Sequence, residues 1–176
     1  MTKRALYAAT FDPVHYGHLD LMARAAAIFD ELIVGVYDHN HPTKSIIFPV
    51  ADRVQMIEEA LNGTPNIKVQ RYGGLTVEFA REIGAQVMVR GMRVFSDFEF
   101  EFRLALANQR LAPEIETISF MTREEHMFLS GTTVREIASL GGDVSSMVPP
   151  TVAQALYAQF NGSDNGAYQS PVPLRD

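Results

Sequence analysis

Two histidines near the start of the chain, His15 and His18, stand where a short apolar run passes into a helical pattern. They end the run Ala-Thr-Phe-Asp-Pro-Val-His-Tyr-Gly-His of residues 9–18. The free N–H groups and the dipole of a helix's first turn favour an anion, and Gly17 lets one approach the backbone closely. A three-residue spacing puts both imidazoles on one face. The pattern predicts a phosphate site; the alternative is two ordinary polar residues at a helix start.

Two arginines, Arg90 and Arg93, flank a Gly-Met pair directly after a buried strand. Guanidinium groups suit bidentate contacts with phosphate and keep their charge in a dry site. We therefore expect both to bind phosphate. The alternative is that either one pairs with an acidic residue of the following helix, namely Asp97, Glu99 or Glu101.

Further phosphate-compatible groups occur in two other loops. Lys44 lies in a Pro-Thr-Lys loop, where a solvated surface lysine is the alternative interpretation. The run Ser-Gly-Thr-Thr of residues 130–133 places hydroxyls and free N–H groups at a helix start, with Arg135 nearby. Helix capping accounts for one of those hydroxyls but not for the cluster. Donors and cations without a nucleophile or a metal cage indicate phosphoryl or nucleotidyl transfer, which relies on positioning and electrostatics.

Composition narrows the classes of protein that fit. The 176 residues carry a net charge of −6 and no cysteine, with 47% hydrophobic and 20% charged residues. The negative charge disfavours a nucleic-acid partner, and the missing cysteines exclude disulfides and thiolate metal sites. No apolar run approaches the roughly 18 residues that cross a bilayer, so we expect a cytoplasmic protein that does not bind membranes.

Strands and helices alternate along the chain. The predicted strands are Arg4–Ala8, Glu31–Tyr37, Ile67–Gln70, Gln86–Arg90 and Ile115–Met121. The helices between and after them are predicted at about 17–29, at 50–61, at 76–83, from a cap at Asp97 to Leu111, from Ser130 or Thr132 to 140, and at 149–160. This alternation predicts an α/β fold with a doubly wound, five-stranded parallel sheet. We expect one domain over residues 1–160 and a mobile tail over 161–176.

Ligands of such sheets bind beyond the carboxyl ends of the strands. His15 and His18 follow the first predicted strand, and Lys44 follows the second. Arg90 and Ser130 lie at the end of the fourth strand and beyond the fifth. The topology therefore predicts that these separate groups meet at one edge of the sheet.

Two blocks of the sequence resemble a known family. The Thr-Phe-Asp-Pro-x-His-x-Gly-His motif with the late Ser/Thr-rich helix start resembles the nucleotidyltransferase superfamily, which includes the class I aminoacyl-tRNA synthetases and has a Rossmann-like fold. The Arg-Gly-Met-Arg to Phe-Glu-Phe-Glu segment of residues 90–101, and residues 107–117, are similar to the phosphopantetheine adenylyltransferases. The resemblance runs from about Arg4 to Phe160.

The resemblance implies transfer of the adenylyl group of ATP to 4′-phosphopantetheine, giving dephospho-coenzyme A and pyrophosphate, by in-line attack without a covalent intermediate. It also implies Mg²⁺ carried on ATP, a homohexamer and inhibition by coenzyme A. Two alternatives stay open: a related enzyme with a pyridine mononucleotide or polyol phosphate as acceptor, and a nucleotide sensor without turnover. A scaffold without ligand leaves the phosphate-compatible residues unexplained.

The resemblance also assigns residues to roles. Catalysis would involve His18, Lys44, Arg93 and Thr10. ATP would contact Thr10, Phe11, His18, Arg90, Gly91, Arg93, Glu101, Ser130, Gly131 and Thr132. Phosphopantetheine would contact Thr10, Lys44, Leu75, Thr76 and Arg90.

The chain departs from the family at several positions. Ala8 and Ala9 replace Pro-Gly, which is expected to restrict the turn before Thr10 and crowd the acceptor. Ser45 stands where a second lysine is common, Gly74 where Asp is usual, and Gly131 removes one hydroxyl of a serine triplet.

Overall fold

The computed structural model describes residues 2–38 and 46–161, and a five-stranded parallel sheet forms its centre. The strands are β1 (Arg4–Ala9), β2 (Glu31–Tyr37), β3 (Ile67–Tyr72), β4 (Val87–Met92) and β5 (Glu116–Met121). Their order across the sheet is β3-β2-β1-β4-β5, and every neighbouring pair is parallel. The winding therefore reverses between β1 and β4, which places a crevice beyond their carboxyl ends. The predicted doubly wound α/β fold is confirmed.

Helices cover both faces of this sheet. They are α1 (Tyr16–Ala26), α2 (Val50–Leu61), α3 (Thr76–Glu82), α4 (Phe95–Leu111), α5 (Gly131–Ser139) and α6 (Pro150–Asn161), with a 3₁₀ turn at Glu124–His126. The predicted elements are all present, with ends that differ by a few residues. Within the described segments, no helix is both long and apolar enough to cross a bilayer.

The start of α4 differs from the prediction. Val94, rather than Asp97, is the residue that precedes the helix. Asp97 lies in the first turn, where its carboxylate accepts the backbone N–H of Arg93 at 3.1 Å. A first-turn carboxylate can satisfy an N–H ahead of the helix, which is why the sequence suggested a cap three residues too late.

Alternate residues of β1 belong to two separate cores. Ala5 and Tyr7 join the larger cluster, which contains side chains of α1, α2, α5 and α6. Leu6 and Ala8 join the smaller cluster with α3 and the segment after α4. Because both faces of β1 are buried, the ends of this strand are fixed relative to every other layer of the fold.

A buried arginine ties together the segments that surround the end of β1. Arg53 of α2 is only 2% exposed. Its guanidinium donates to the carbonyl oxygens of Phe48 at 3.0 Å, Tyr37 at 3.0 Å and Thr10 at 2.5 Å. Burial lowers the pKa of Arg53, and the carboxylates of Asp12 and Asp38 oppose that shift.

We expect Arg53→Met to lower the free energy of unfolding by about 3 kcal/mol, because it leaves the carbonyl oxygens of Thr10, Tyr37 and Phe48 without their donor. Urea unfolding followed by circular dichroism measures this. The matched control is Arg103→Met, which removes an exposed pair with Glu99 and should change stability by less than about 0.5 kcal/mol. Equal losses in the two variants would show that Arg53 is not a structural tie.

Candidate active site

The two histidines of the β1–α1 turn hold each other. His15 precedes α1, and its Nδ1 accepts the backbone N–H of His18 at 3.3 Å. In return, the Nδ1 of His18 accepts the backbone N–H of His15 at 3.3 Å. The rings stack with their centroids 3.5 Å apart and an angle of 19° between their planes. The predicted common face is confirmed, and the pair itself begins the helix.

These hydrogen bonds also fix the protonation of both rings. Because each Nδ1 is an acceptor, the remaining proton of each ring lies on Nε2. Burial, Arg93 and His126 lower the pKa of His15 to about 3. Burial, His15 and Arg93 hold the pKa of His18 well below its usual range. At neutral pH both imidazoles are therefore uncharged hydrogen-bond donors.

Arg90 is held by a bidentate ion pair. Its Nε and Nη2 each lie 2.7 Å from an oxygen of Glu101, and its Nη1 donates to the carbonyl oxygen of Ala8 at 3.0 Å. Burial lowers the pKa of Arg90, but the bonds and charge of Glu101 outweigh it, and the net shift is upward. Arg90 therefore remains a fixed cation at the end of β4.

Arg93 is held in the same manner, by the first turn of α4. Its Nε lies 3.1 Å from the Asp97 carboxylate, and its Nη1 donates to the carbonyl oxygen of Leu129 at 2.8 Å. The acidic-partner alternative thus describes both arginines. Such pairing still allows both arginines to bind phosphate, because a guanidinium has five N–H donors. Each arginine uses three of these donors in bonds to described residues, and two donors remain.

The site consists of two adjoining clefts. The first, which we call the histidine cleft, has a volume of about 260 Å³ and opens between the ends of β1 and β4. The second, the aromatic cleft, has a volume of about 460 Å³ and extends from β1 towards β3, α3 and α4. Ala9 and Arg90 line both clefts. Arg90 therefore stands at the boundary, where groups bound on either side would meet.

Most of the predicted site residues line one cleft or the other. In the histidine cleft these are His18, Arg90, Gly91, Arg93, Glu101, Ser130 and Gly131. In the aromatic cleft they are Thr10, Leu75, Thr76 and Arg90.

Three predicted residues stand apart. Phe11 is 2% exposed and lies edge-on to Tyr7 and His18, so it supports the wall rather than forming it. Thr132 is absent from the lining of either cleft. Lys44 lies outside the described residues, as does Ser45.

The start of α5 is capped by its own hydroxyls. Ser130 precedes the helix, and its Oγ accepts the backbone N–H of Thr133 at 3.0 Å and lies 2.8 Å from that residue's hydroxyl. A Cβ atom at Gly131 would lie 3.1 Å from the carbonyl oxygen of Asp12. The glycine thus gives the turn after β1 room to approach the helix, at the loss of one hydroxyl.

Asp12 is a structural residue of the site to which the sequence assigned no role. Its carboxylate is buried and accepts the backbone N–H groups of Ile47 at 2.9 Å and Phe48 at 3.1 Å. Arg135 of α5 donates to the Asp12 carbonyl oxygen and lies 3.6 Å from its carboxylate. An acidic residue inside an apolar turn was the signal that could have identified it.

The departures at residues 8, 9 and 74 have local explanations. Ala8 and Ala9 do not form a turn, because both belong to β1 and pair in register with Gly35 and Val36. The expected restriction of a turn there is therefore wrong, since extended backbone is open to any residue. Gly74 lines the aromatic cleft and has φ +79°. That backbone conformation favours glycine over residues with a side chain.

Comparisons with known proteins agree with this arrangement. The cytidylyltransferase-like family model matches residues 6–137. A phosphopantetheine adenylyltransferase of Roseiflexus sp. is 50% identical over 86% of this chain and 94% of its own. Those of Lachnoclostridium phytofermentans and Thermomicrobium roseum are 43% and 44% identical, each over 91% of this chain and at least 96% of their own. A putative nicotinate-nucleotide adenylyltransferase structure from Vibrio parahaemolyticus has a TM-score of 0.64 over 89% of this chain and 99% of that chain, at 20% identity, and shows the fold alone.

The buried histidine pair predicts a loss of stability in acid. An unfolded histidine has a pKa of about 6.5, whereas the pKa of folded His15 is about 3, so the unfolded chain takes up the proton first as pH falls below 6.5. His15 alone should remove about 2 kcal/mol of stability between pH 7 and pH 5.

The variant that checks this is His15→Asn, which keeps an N-cap acceptor without a titrating ring. Urea unfolding at pH 7 and pH 5 should show that it loses about 2 kcal/mol less than the natural chain over that range. Identical losses would contradict the neutral, buried state of His15.

Proposed function

This chain belongs to the phosphopantetheine adenylyltransferases, within the cytidylyltransferase-like family, and from that premise we propose how its two clefts carry out the reaction. The reaction transfers the adenylyl group of ATP to 4′-phosphopantetheine, with dephospho-coenzyme A and pyrophosphate as products. In this proposal ATP occupies the histidine cleft and 4′-phosphopantetheine the aromatic cleft. The observation that carries it is their shared boundary at Ala9 and Arg90.

Direct in-line attack fits this boundary. An oxygen of the acceptor phosphate attacks the α-phosphorus of ATP and forms the new P–O bond. The bond from that phosphorus to the oxygen shared with the β-phosphate breaks, and pyrophosphate leaves with the electron pair. The acceptor phosphate is largely a dianion at neutral pH, so attack needs no general base. No covalent enzyme intermediate is required, because the two substrates reach each other across Arg90.

His18 acts as a hydrogen-bond donor in this scheme. Its ring is neutral, its proton lies on Nε2, and it lines the histidine cleft. We assign that N–H to the α-phosphate, where negative charge increases in the transition state. A fixed donor at such a position typically contributes a factor of 10²–10³ to the rate.

The remaining cationic and capping groups hold the phosphates. Arg93, Ser130 and Gly131 lie together on the histidine cleft, where guanidinium and first-turn N–H groups suit the β- and γ-phosphates. Arg90 and Thr10 are placed for the acceptor phosphate. Lys44 is assigned as a bridge between the phosphates of the two substrates on the sequence resemblance alone. The contacts of Phe11 and Thr132 with ATP rest on the same resemblance.

Mg²⁺ belongs to the proposal as an ion that enters on ATP. Among the described residues, no cluster of three His, Asp or Glu side chains is arranged for a metal. Mg²⁺ is commonly held by substrate phosphates, waters and few protein ligands, so the lining of the histidine cleft fits such an ion. When bound, it neutralises charge on the β- and γ-phosphates.

Acceptor choice separates this function from its relatives. We expect pyrophosphate release from ATP and Mg²⁺ with 4′-phosphopantetheine and none with nicotinamide mononucleotide, because the aromatic cleft is long and largely apolar. Coenzyme A, which carries both an adenylyl and a pantetheine part, should inhibit by spanning the two clefts. Activity on the mononucleotide alone would refute the acceptor assignment, and ATP binding without turnover on either would indicate a sensor.

His18→Ala is the matched inactive control for this assay. It should lower kcat at least ~10²-fold while the folded fraction at the assay temperature, measured by circular dichroism, stays the same. Turnover close to that of the natural chain would remove His18 from the mechanism.

We also propose a homohexamer: the number of copies is what the family resemblance implies, and an exposed aromatic row on α4 supplies a surface through which copies can meet. Phe95, Phe98 and Phe102 are 90%, 48% and 52% exposed. Their rings stack along the helix with centroids 6.3 and 5.7 Å apart. A contiguous exposed apolar row of this kind marks an interaction surface.

Light scattering measures the assembly directly. The natural chain should give the mass of six copies, and Phe98→Glu should give a smaller assembly because it places a charge in the aromatic row. Arg103→Glu, on the same helix at an exposed position, is the control that should keep the mass. A monomeric natural chain would refute the proposal.

A further inference from the structure

Tyr7 is a buried residue of the histidine cleft to which the mechanism above gives no role. It lies on β1, is 6% exposed and lines the cleft. Its ring meets Phe11 edge-to-face, with centroids 5.3 Å apart and an angle of 85°. The His18 ring lies 6.4 Å away. Strand pairing on both sides of β1 and these ring contacts hold the phenol in one position.

No hydrogen bond joins the hydroxyl of Tyr7 to another described residue, in contrast with the hydroxyls of two other tyrosines. The Tyr72 hydroxyl lies 2.9 Å from that of Thr76, and the Tyr157 hydroxyl accepts the backbone N–H of Val144 at 3.1 Å. The Tyr7 oxygen is not among the sealed polar atoms that lack a partner, so it is accessible from the cleft that Tyr7 lines. A rigidly held phenol whose hydroxyl is open to a cleft can donate to a ligand bound there.

The surroundings of Tyr7 make its hydroxyl a donor. Burial raises the pKa of Tyr7 far above its usual range, Arg90 and Arg93 oppose the shift, and Glu101 adds to it. The phenol therefore keeps its proton and can donate to an anion. Arg90 and Arg93 line the same cleft, and the N–H donors that their carboxylate partners leave unused suit a phosphate oxygen.

We propose that the Tyr7 hydroxyl donates a hydrogen bond to a nonbridging oxygen of the α-phosphate of ATP, beside the N–H of His18. The proposal rests on the proposed function, which places ATP in the histidine cleft. Two neutral donors, one from β1 and one from α1, then face the group that is transferred. Both bonds strengthen as charge accumulates on that phosphate, so Tyr7 is a catalytic residue of the transfer step.

Tyr7→Phe tests the hydroxyl alone, because it keeps the ring contacts with Phe11 and His18. Steady-state pyrophosphate release should show kcat lowered about 10-fold or more, with the KM for 4′-phosphopantetheine and the Tm unchanged. The control is Tyr157→Phe, which removes a hydroxyl bonded to the backbone away from both clefts and should leave kcat unchanged. A Tyr7→Phe enzyme with unaltered kcat and KM values would overturn the proposal.

The two diastereomers of adenosine 5′-O-(1-thiotriphosphate) distinguish a contact from a packing effect. Sulfur is a weak acceptor, so the natural enzyme should be slowed most by the diastereomer that places sulfur at the oxygen bonded by Tyr7. In Tyr7→Phe that diastereomer should no longer be slowed relative to ATP. A lowered kcat with unchanged ratios for both diastereomers would overturn the proposal, and an inactive natural enzyme would overturn the proposed function with it.

Discussion

The geometry of both clefts depends on two buried charged residues of opposite sign, Asp12 and Arg53, each bonded to backbone groups of the surrounding loops. The Asp12 carboxylate fixes the backbone of Ile47 and Phe48, and the Arg53 guanidinium binds the carbonyl ends of β1 and β2. Arg135 adds the start of α5 to the same turn. Loops that leave a parallel sheet have few backbone partners of their own, so side chains must supply them. Here two buried charges supply them for three loops at once.

Arg90 and Arg93 are also held in place by partly buried carboxylates. Glu101 and Asp97 each occupy one edge of a guanidinium and leave other N–H bonds free. A long cation that is already held loses little side-chain entropy when a phosphate arrives. Partnership with a carboxylate and contact with phosphate were alternatives at the level of the sequence. In the folded chain the first does not exclude the second.

The sequence predicted the order and type of the elements well, because apolar periodicity and turn residues are local signals. It also predicted that the candidate residues at several strand ends would come together, since parallel topology brings those ends to one edge of the sheet. It failed where a contact joins distant segments. Nothing near Asp12 in the chain indicates its bonds to Ile47, and nothing near Tyr7 indicates a phenol whose hydroxyl is open to a cleft. The error at Asp97 has the same origin: a first-turn carboxylate and a capping carboxylate look alike until the backbone is placed.

The division of the site at Arg90 separates two kinds of change during evolution. The histidine cleft is built by the β1–α1 turn, β4, α5 and Glu101 of α4, whereas β3 and α3 line the aromatic cleft alone. Substitutions in β3 and α3 can reshape the aromatic cleft without touching the carboxylates that hold Arg90 and Arg93. Under the proposed assignment of the two clefts, a different acceptor could be accommodated while the donors that face the nucleotide stay in place. Arg90, which lines both clefts, would then be constrained from both sides.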